Sequence, residues 1–238
     1  RSIRQPITGN GDIMTAFDGI TYQKGAGVIA MFENYVGEKT FQKGMRAYIQ
    51  KHKFGNAVAD DLVSAIATAA GKSDAFKHAF NSFLNQTGVP YIATKVEQKD
   101  GKTVLHLSQS RYLPVGSTGD AQRIWGVPVC VRYGDATHAQ RTCTTGDAIA
   151  VASCPRWIVP NDDATGYYRS AVDPALLDTR AAKLSGAEQR MVLADLTAMV
   201  RRDELPVDRV IARGVALSGD PDPLVALSAF VAAQFRTE

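Results

Sequence analysis

The chain has 238 residues, 45% of them hydrophobic and 21% charged, the composition of one or two folded domains rather than a disordered tail. Its 27 Lys+Arg against 24 Asp+Glu leave a net charge of +3, with no basic stripe of the kind that binds a phosphate backbone, so nucleic acid is not an expected partner. No apolar run approaches the roughly 20 residues that span a bilayer, and no basic-then-apolar leader opens the chain. A soluble protein without a membrane partner is expected, cytoplasmic or else periplasmic or secreted. The chain starts at Arg1 rather than Met, which reads as a processed product or a piece of a longer protein.

In chain order, residues 12–87 carry helical spacing. Val28, Ile29, Phe32 and Val36 follow Tyr22 at helical intervals, and Gly37 sits where a C-cap glycine belongs. Phe41, Met45, Tyr48, Ile49 and His52 repeat the spacing. Asp60 or Asp61 supports the start of a third helix, with Leu62, Ile66 and Ala69 on its apolar side and Gly71 at its end. A fourth runs from Ser73, as N-cap, through Phe76, Phe80 and Leu84.

Between residues 89 and 172 the period changes. Tyr91–Glu97 and Thr103–Ser108 read as strands around an Asp100-Gly101 hairpin turn. Val127–Tyr133, Gln140–Thr144, Ala148–Ala152, Trp157–Val159 and Tyr167–Val172 continue the pattern. Six or seven short strands with turns between them predict a small antiparallel sandwich. From about residue 174 helices return. Ser185-Gly186-Ala187-Glu188 is a capping box; Val192, Leu196 and Met199 share a face; Pro206 and Pro223 mark helix starts, the latter after Asp222 as N-cap. Three helices of this kind resemble the opening of a helix-pair stack.

Cys130, Cys143 and Cys154 are too few for a disulfide scaffold. Cys130 and Cys143 flank a turn near Ala136 and Thr137. Two readings stand: a cross-strand bridge, which implies an oxidising compartment, or three small buried thiols.

The sequence argues against a metal or phosphate cofactor held by this chain. His52, His78, His106 and His138 are far apart, with no HExxH and no Cys beside a His. No GxSxG elbow is present, and Gly9-Asn10-Gly11 and Gly25-Ala26-Gly27 lack the Lys-Ser/Thr of a phosphate loop. The second glycine pair reads as a close-packing site on a helix, and Trp125 and Trp157 as core.

One set of motifs is more specific. Ile20-Thr21-Tyr22-Gln23-Lys24-Gly25-Ala26 resembles the I-x-Y-E-K-G-A segment of the M1 family of zinc aminopeptidases. Phe41-Gln42-Lys43-Gly44-Met45 with Tyr48 resembles that family's F-x-x-G-x-x-x-Y helix, and Phe54-Gly55-Asn56-Ala57 with Asp61-Leu62 its Y-x-N-A…D-L turn. Phe83 to Pro90 is similar to the W-x-x-Q-x-G-x-P boundary, with Phe83 in the Trp position. Asn161 and Gly166-Tyr167-Tyr168-Arg169 are similar to the N-x-x-x-x-G-Y-Y-R closing strand. The matches keep their order over residues 17–170.

The resemblance implies a multidomain chain: residues 1–88 as the helical end of a thermolysin-like catalytic domain, 89–173 as a small antiparallel β-sandwich, and 174–238 as the first helices of an α-helical solenoid. It implies zinc in a full-length parent, with the ligands and the GxMEN amine-binding motif upstream of this chain, and peptides as substrates. It carries over one catalytic residue, Tyr22, whose hydroxyl would donate to the tetrahedral oxyanion. A phenol is protonated at neutral pH and so is a ready donor. Gln23 departs from the usual Glu but leaves that donor in place. Lys24 reads as a helix-start contact, and Tyr167, Tyr168 and Arg169 as structural. The expected function is thus a fragment of a zinc aminopeptidase, inactive by itself; the alternative is a noncatalytic scaffold of the same family. An uncovered face at Val225, Phe230, Val231 and Phe235 predicts self-association of the isolated chain.

Overall fold

A computed structural model describes residues 1–72, 74–99, 102–151, 155–171 and 183–233. The expected cap at Ser73, the turn at Asp100-Gly101, Cys154, Val172, the 173–174 boundary and Phe235 lie outside the described residues. The chain divides into two compact units, the first comprising Arg1–Gly88, Ile124–Val129 and Thr165–Tyr167, the second Val89–Arg123, Cys130–Ala164 and Tyr168–Glu238. No helix among the described residues is long and apolar enough to cross a membrane.

The first unit is helical. α1 (Asn10–Ala16) precedes a π-helical turn (Ile20–Lys24), which runs straight into α2 (Gly25–Val36). α3 (Glu38–His52), α4 (Ala59–Ala69) and α5 (Asp74–Asn85) follow. Neither the short α1, which has no buried residue, nor the π turn, which buries only Lys24, carries a stripe long enough to register as a helical period in the sequence. Gly37, at φ +87°, both ends α2 and starts α3. Its N–H donates to the Glu33 carbonyl at 2.8 Å while its own carbonyl accepts from Phe41 at 2.9 Å, a left-handed joint suited to glycine. Asp61 accepts from the Val58 N–H at 2.9 Å and so fixes the start of α4.

Phe32 centres this unit's core, with ring centroids of Phe80, Phe76 and Phe83 at 4.6, 5.2 and 6.2 Å. On α3 the inward face is set by Phe41 and Gly44, both buried. Ile49, expected on that face, is 59% exposed; its position falls off the stripe through 41, 44, 45, 48 and 52. Gly44 is where α3 and α4 touch: a Cβ there would lie 2.8 Å from Ile66 Cα and 3.2 Å from the Ala65 carbonyl oxygen. Gly44→Ala is therefore expected to destabilise by about 1–3 kcal/mol through overpacking, more than the roughly 1 kcal/mol that alanine gains in helix propensity. Urea unfolding checks this; an unchanged or raised midpoint would mean that the crossing yields.

Among the described residues the second unit holds seven strands, three α-helices and a short 3-10 turn (Asp162–Ala164). β1 (Pro90–Lys99), β2 (Lys102–Arg111), β5 (Ala148–Val151) and β7 (Arg169–Ala171) form one sheet in the order β5-β2-β1-β7. β3 (Val129–Gly134), β4 (Ala139–Thr144) and β6 (Trp157–Val159) form another in the order β4-β3-β6. β1 and β2 pair antiparallel, Tyr91 opposite Ser110, and β5 lies antiparallel to β2. The expectation of purely antiparallel pairing fails at β7, which runs parallel to β1 with Tyr91 opposite Arg169. A strand returning after a long crossover can add in either direction, and short strands carry no signal for which. Cys130 on β3 and Cys143 on β4 form a disulfide, which decides between the two cysteine readings for that pair.

α6 (Gly186–Val200), α7 (Val207–Leu217) and α8 (Pro223–Ala233) pack on one another. Their core contains Val192, Leu196 and Met199 as expected, with Val210, Leu217, Val225 and Ala229. The Ser185–Glu188 capping box forms, and Asp222 accepts from the Leu224 N–H at 2.8 Å at the start of α8. Val225, expected on an uncovered face, is instead fully buried, while Phe230 and Val231 are exposed. α8 is apolar all round, so sequence periodicity does not tell its inner face from its outer one.

Candidate functional site

Tyr22 sits in the π-helical turn that opens α2. The turn is anchored by Asp18: its side-chain Oδ1 accepts from the Thr21 N–H at 2.8 Å and its carbonyl accepts from the Tyr22 N–H at 3.1 Å. The other carboxylate oxygen pairs with Arg1 at 2.5 Å. The Thr21 amide, opposed by partial desolvation and helped by Arg1, holds the Asp18 carboxyl below the usual carboxylate range. The Tyr22 side chain is 63% exposed and its ring centroid lies 6.4 Å from that of Phe17. Met14 and Phe17 are exposed too, so the phenol stands in an open, apolar setting.

Lys24, two residues on, is buried, and burial lowers its pKa. Its Nζ donates to the Gln86 carbonyl at 2.7 Å, tying the start of α2 to the end of α5, and lies 6.0 Å from the centroid of the Tyr167 ring. That aromatic ring closes on α2 at Gly27, where a Cβ would come within 3.0 Å of Tyr167 Cδ2. Trp125 and Trp157 are both core residues.

The second unit contains a charged cluster that sequence reading missed. Arg132 Nη2 donates to both oxygens of Glu188 at 2.7 Å, and its Nε to Asp162 at 3.2 Å. Arg141 pairs with the second oxygen of Asp162 at 2.5 Å. Glu188 also accepts from the Ser185 and Asp163 amides. Its capping-box role was legible; its pairing with Arg132 on a distant strand was not, since no local spacing encodes it.

Asp162, Asp163 and Glu188 are the one group of metal-ligating side chains gathered within 4.8 Å among the described residues. Two of these three carboxylates are engaged by arginine, and no imidazole joins them, so this set does not fit a hydrolytic zinc. His52 faces Asp61, with Nε2 at 3.7 Å from Oδ1, beside a cleft of about 330 Å³ between α3 and α4. A larger cleft of about 610 Å³ lies by α6 and α8, lined by Arg169, Arg190, Leu227 and Val231. Tyr22 lines neither cleft.

Asp195 on α6 is buried; it accepts from the Ser170 hydroxyl and lies 3.6 Å from Arg169. Burial, only partly offset by Ser170 and Arg169, pushes its carboxyl up to about 7. A group held neutral in the fold but free to ionise when unfolded stabilises most below the ordinary carboxylate range, about pH 4. Its contribution is then lost as pH rises from there to about 7. Asp195→Asn is expected to flatten the pH dependence of unfolding over this window, by urea titration at several pH values. An unchanged slope would mean that Asp195 titrates normally.

Residues 1–86 match the peptidase family M1 domain. Over 202 residues, 79% of this chain, it is 33% identical to aminopeptidase M1-A of Oryza sativa, covering 22% of that protein. It is 33% identical over 91% of its length to a probable M1 family aminopeptidase 1 of Encephalitozoon cuniculi, covering 23% of it. It is 27% identical over 90% of its length to the tricorn protease-interacting factor F2 of Thermoplasma acidophilum, covering 26% of it. The chain thus spans about a quarter of the length of these relatives.

Proposed function

Because this chain belongs to the M1 peptidase family, we propose that it is the part of a zinc-dependent aminopeptidase that contributes the oxyanion donor Tyr22. The observation that carries this reading is the match to aminopeptidases over most of the chain, joined to an exposed phenol on an anchored helix start. In this reading residues 1–88 end the catalytic domain, 89–173 form the sandwich and 174–238 begin the helical solenoid. The zinc ligands come from the rest of the protein. The substrates are peptides, cleaved at their N-terminal residue.

Tyr22 donates its hydroxyl hydrogen to the oxygen that gains negative charge as the scissile carbonyl becomes tetrahedral. The open setting of the ring leaves room for a substrate to approach it. The Cys130–Cys143 disulfide supports folding in an oxidising compartment, periplasmic or extracellular.

The test compares two proteins. The full-length protein carrying this chain is expected to retain stoichiometric zinc after dialysis and to hydrolyse an aminoacyl reporter, with the activity abolished by a chelator. The chain by itself is expected to do neither. A full-length protein that is metal-free and inactive would assign the scaffold role instead. Chelator-sensitive hydrolysis by the isolated chain would place the zinc site within it.

A further inference from the structure

We propose that Asp18 is a positioning residue for Tyr22, acting as the cap that fixes the turn from which the phenol projects; this rests on the reading of Tyr22 as the oxyanion donor. Within this chain Tyr22 is 63% exposed, so among the described residues it is the backbone of the Ile20–Lys24 turn that sets the direction of its side chain. The first N–H groups of a helical segment have no partners within it. Here the Thr21 N–H is satisfied by the Asp18 side chain at 2.8 Å, next to the first backbone bond of the turn, from the Tyr22 N–H to the Asp18 carbonyl at 3.1 Å.

The side-chain bond fixes the peptide plane before Thr21, so that the backbone bond of the next amide forms in one place and the Cα–Cβ direction of Tyr22 is set. The Arg1 contact on the other carboxylate oxygen orients the carboxyl without competing for Oδ1. Downstream, the buried Lys24–Gln86 bond pins the far end of the turn. Asp18 and Lys24 thus clamp the tyrosine from both sides, one by capping and one by burial.

An oxyanion donor is sensitive to such control, because displacement by about 1 Å can cost on the order of 100-fold in rate. The geometry assigns the effect to the cap and not to the negative charge, which separates the variants. Asn and Ser keep a short side-chain acceptor; Glu keeps the charge but its longer arm moves the oxygen off the Thr21 amide; Ala keeps neither.

The test measures kcat and KM for aminoacyl hydrolysis in the full-length protein carrying this chain. Asp18→Ala and Asp18→Glu are expected to lower kcat by about 10-fold or more with KM within about twofold, while Asp18→Asn stays within about threefold of the parent. Asp18→Ala placed on Tyr22→Phe is expected to add no further loss, because the cap acts only through the hydroxyl. Multiplicative losses in that double variant, or full kcat in Asp18→Glu with a low kcat in Asp18→Asn, overturn the proposal. If Asp18→Ala does not fold, the Glu and Asn variants still decide it. Full kcat in Tyr22→Phe overturns the oxyanion reading itself, whereas normal Asp18 variants beside an impaired Tyr22→Phe overturn only the positioning role.

Discussion

Tyr22→Phe, in the full-length protein that carries this chain, is expected under the proposed oxyanion role to lower kcat by about 10²–10³, or roughly 3–4 kcal/mol, the usual effect of removing one such donor. The substitution removes one oxygen from a side chain that is largely exposed, so neither the turn nor the Phe17 contact needs it. Stability is expected to change little. KM is also expected to hold, because the oxyanion is present in the transition state and not in the bound substrate. Steady-state kinetics on an aminoacyl reporter separates the alternatives. A near-normal kcat with a raised KM would assign the hydroxyl to substrate binding.

Glu188→Ala is expected to be the most damaging single change to stability, at about 3–5 kcal/mol. Glu188 is 1% exposed and receives hydrogen bonds from Arg132, Ser185 and Asp163. Its removal takes from the Arg132 guanidinium, which also lies 5.5 Å from the Trp157 ring centroid, the carboxylate that its Nη2 reaches at 2.7 Å. It also deletes half of the capping box at the start of α6. The replacement of both charges, as in Glu188→Leu with Arg132→Met, is expected to cost less than Glu188→Ala alone, since no uncompensated buried charge remains. Urea unfolding of the single and double variants measures both; a loss below about 1 kcal/mol for Glu188→Ala would show that water replaces the carboxylate.

Much of the helical half was legible because its signals are local. Gly37 marked the α2–α3 joint and now shows the positive φ that explains it. The Phe41–Gly44–Tyr48 motif marked α3, although the role of Gly44, contact with Ile66 on another helix, is a property of the packed pair. Tyr22 was named through a family motif, not through periodicity. Asp18 stands four residues before it, and its bond to the Thr21 amide becomes evident only once the turn is built. The Arg132–Glu188 pair, the burial of Val225 and the direction of β7 depend on chain segments that meet only in the fold. α8 shows the limit most plainly, since a helix apolar on every side presents no pattern from which to choose its buried face.

The pairing of β7 with β1 has a consequence for the order in which this chain can fold. The β1–β2 pair joins neighbouring stretches, and the β3–β4 pair encloses a short loop that its disulfide can lock. Both can close early, since little chain entropy is lost in bringing their ends together. β7 must find Tyr91 across all the intervening strands, and such non-local contacts slow folding. Until β7 arrives, the outer edge of β1 is open, a strand edge of the kind that pairs with other chains. In a refolding experiment the vulnerable interval is therefore the one before residues 169–171 dock, and the hazard in it is intermolecular strand addition at β1.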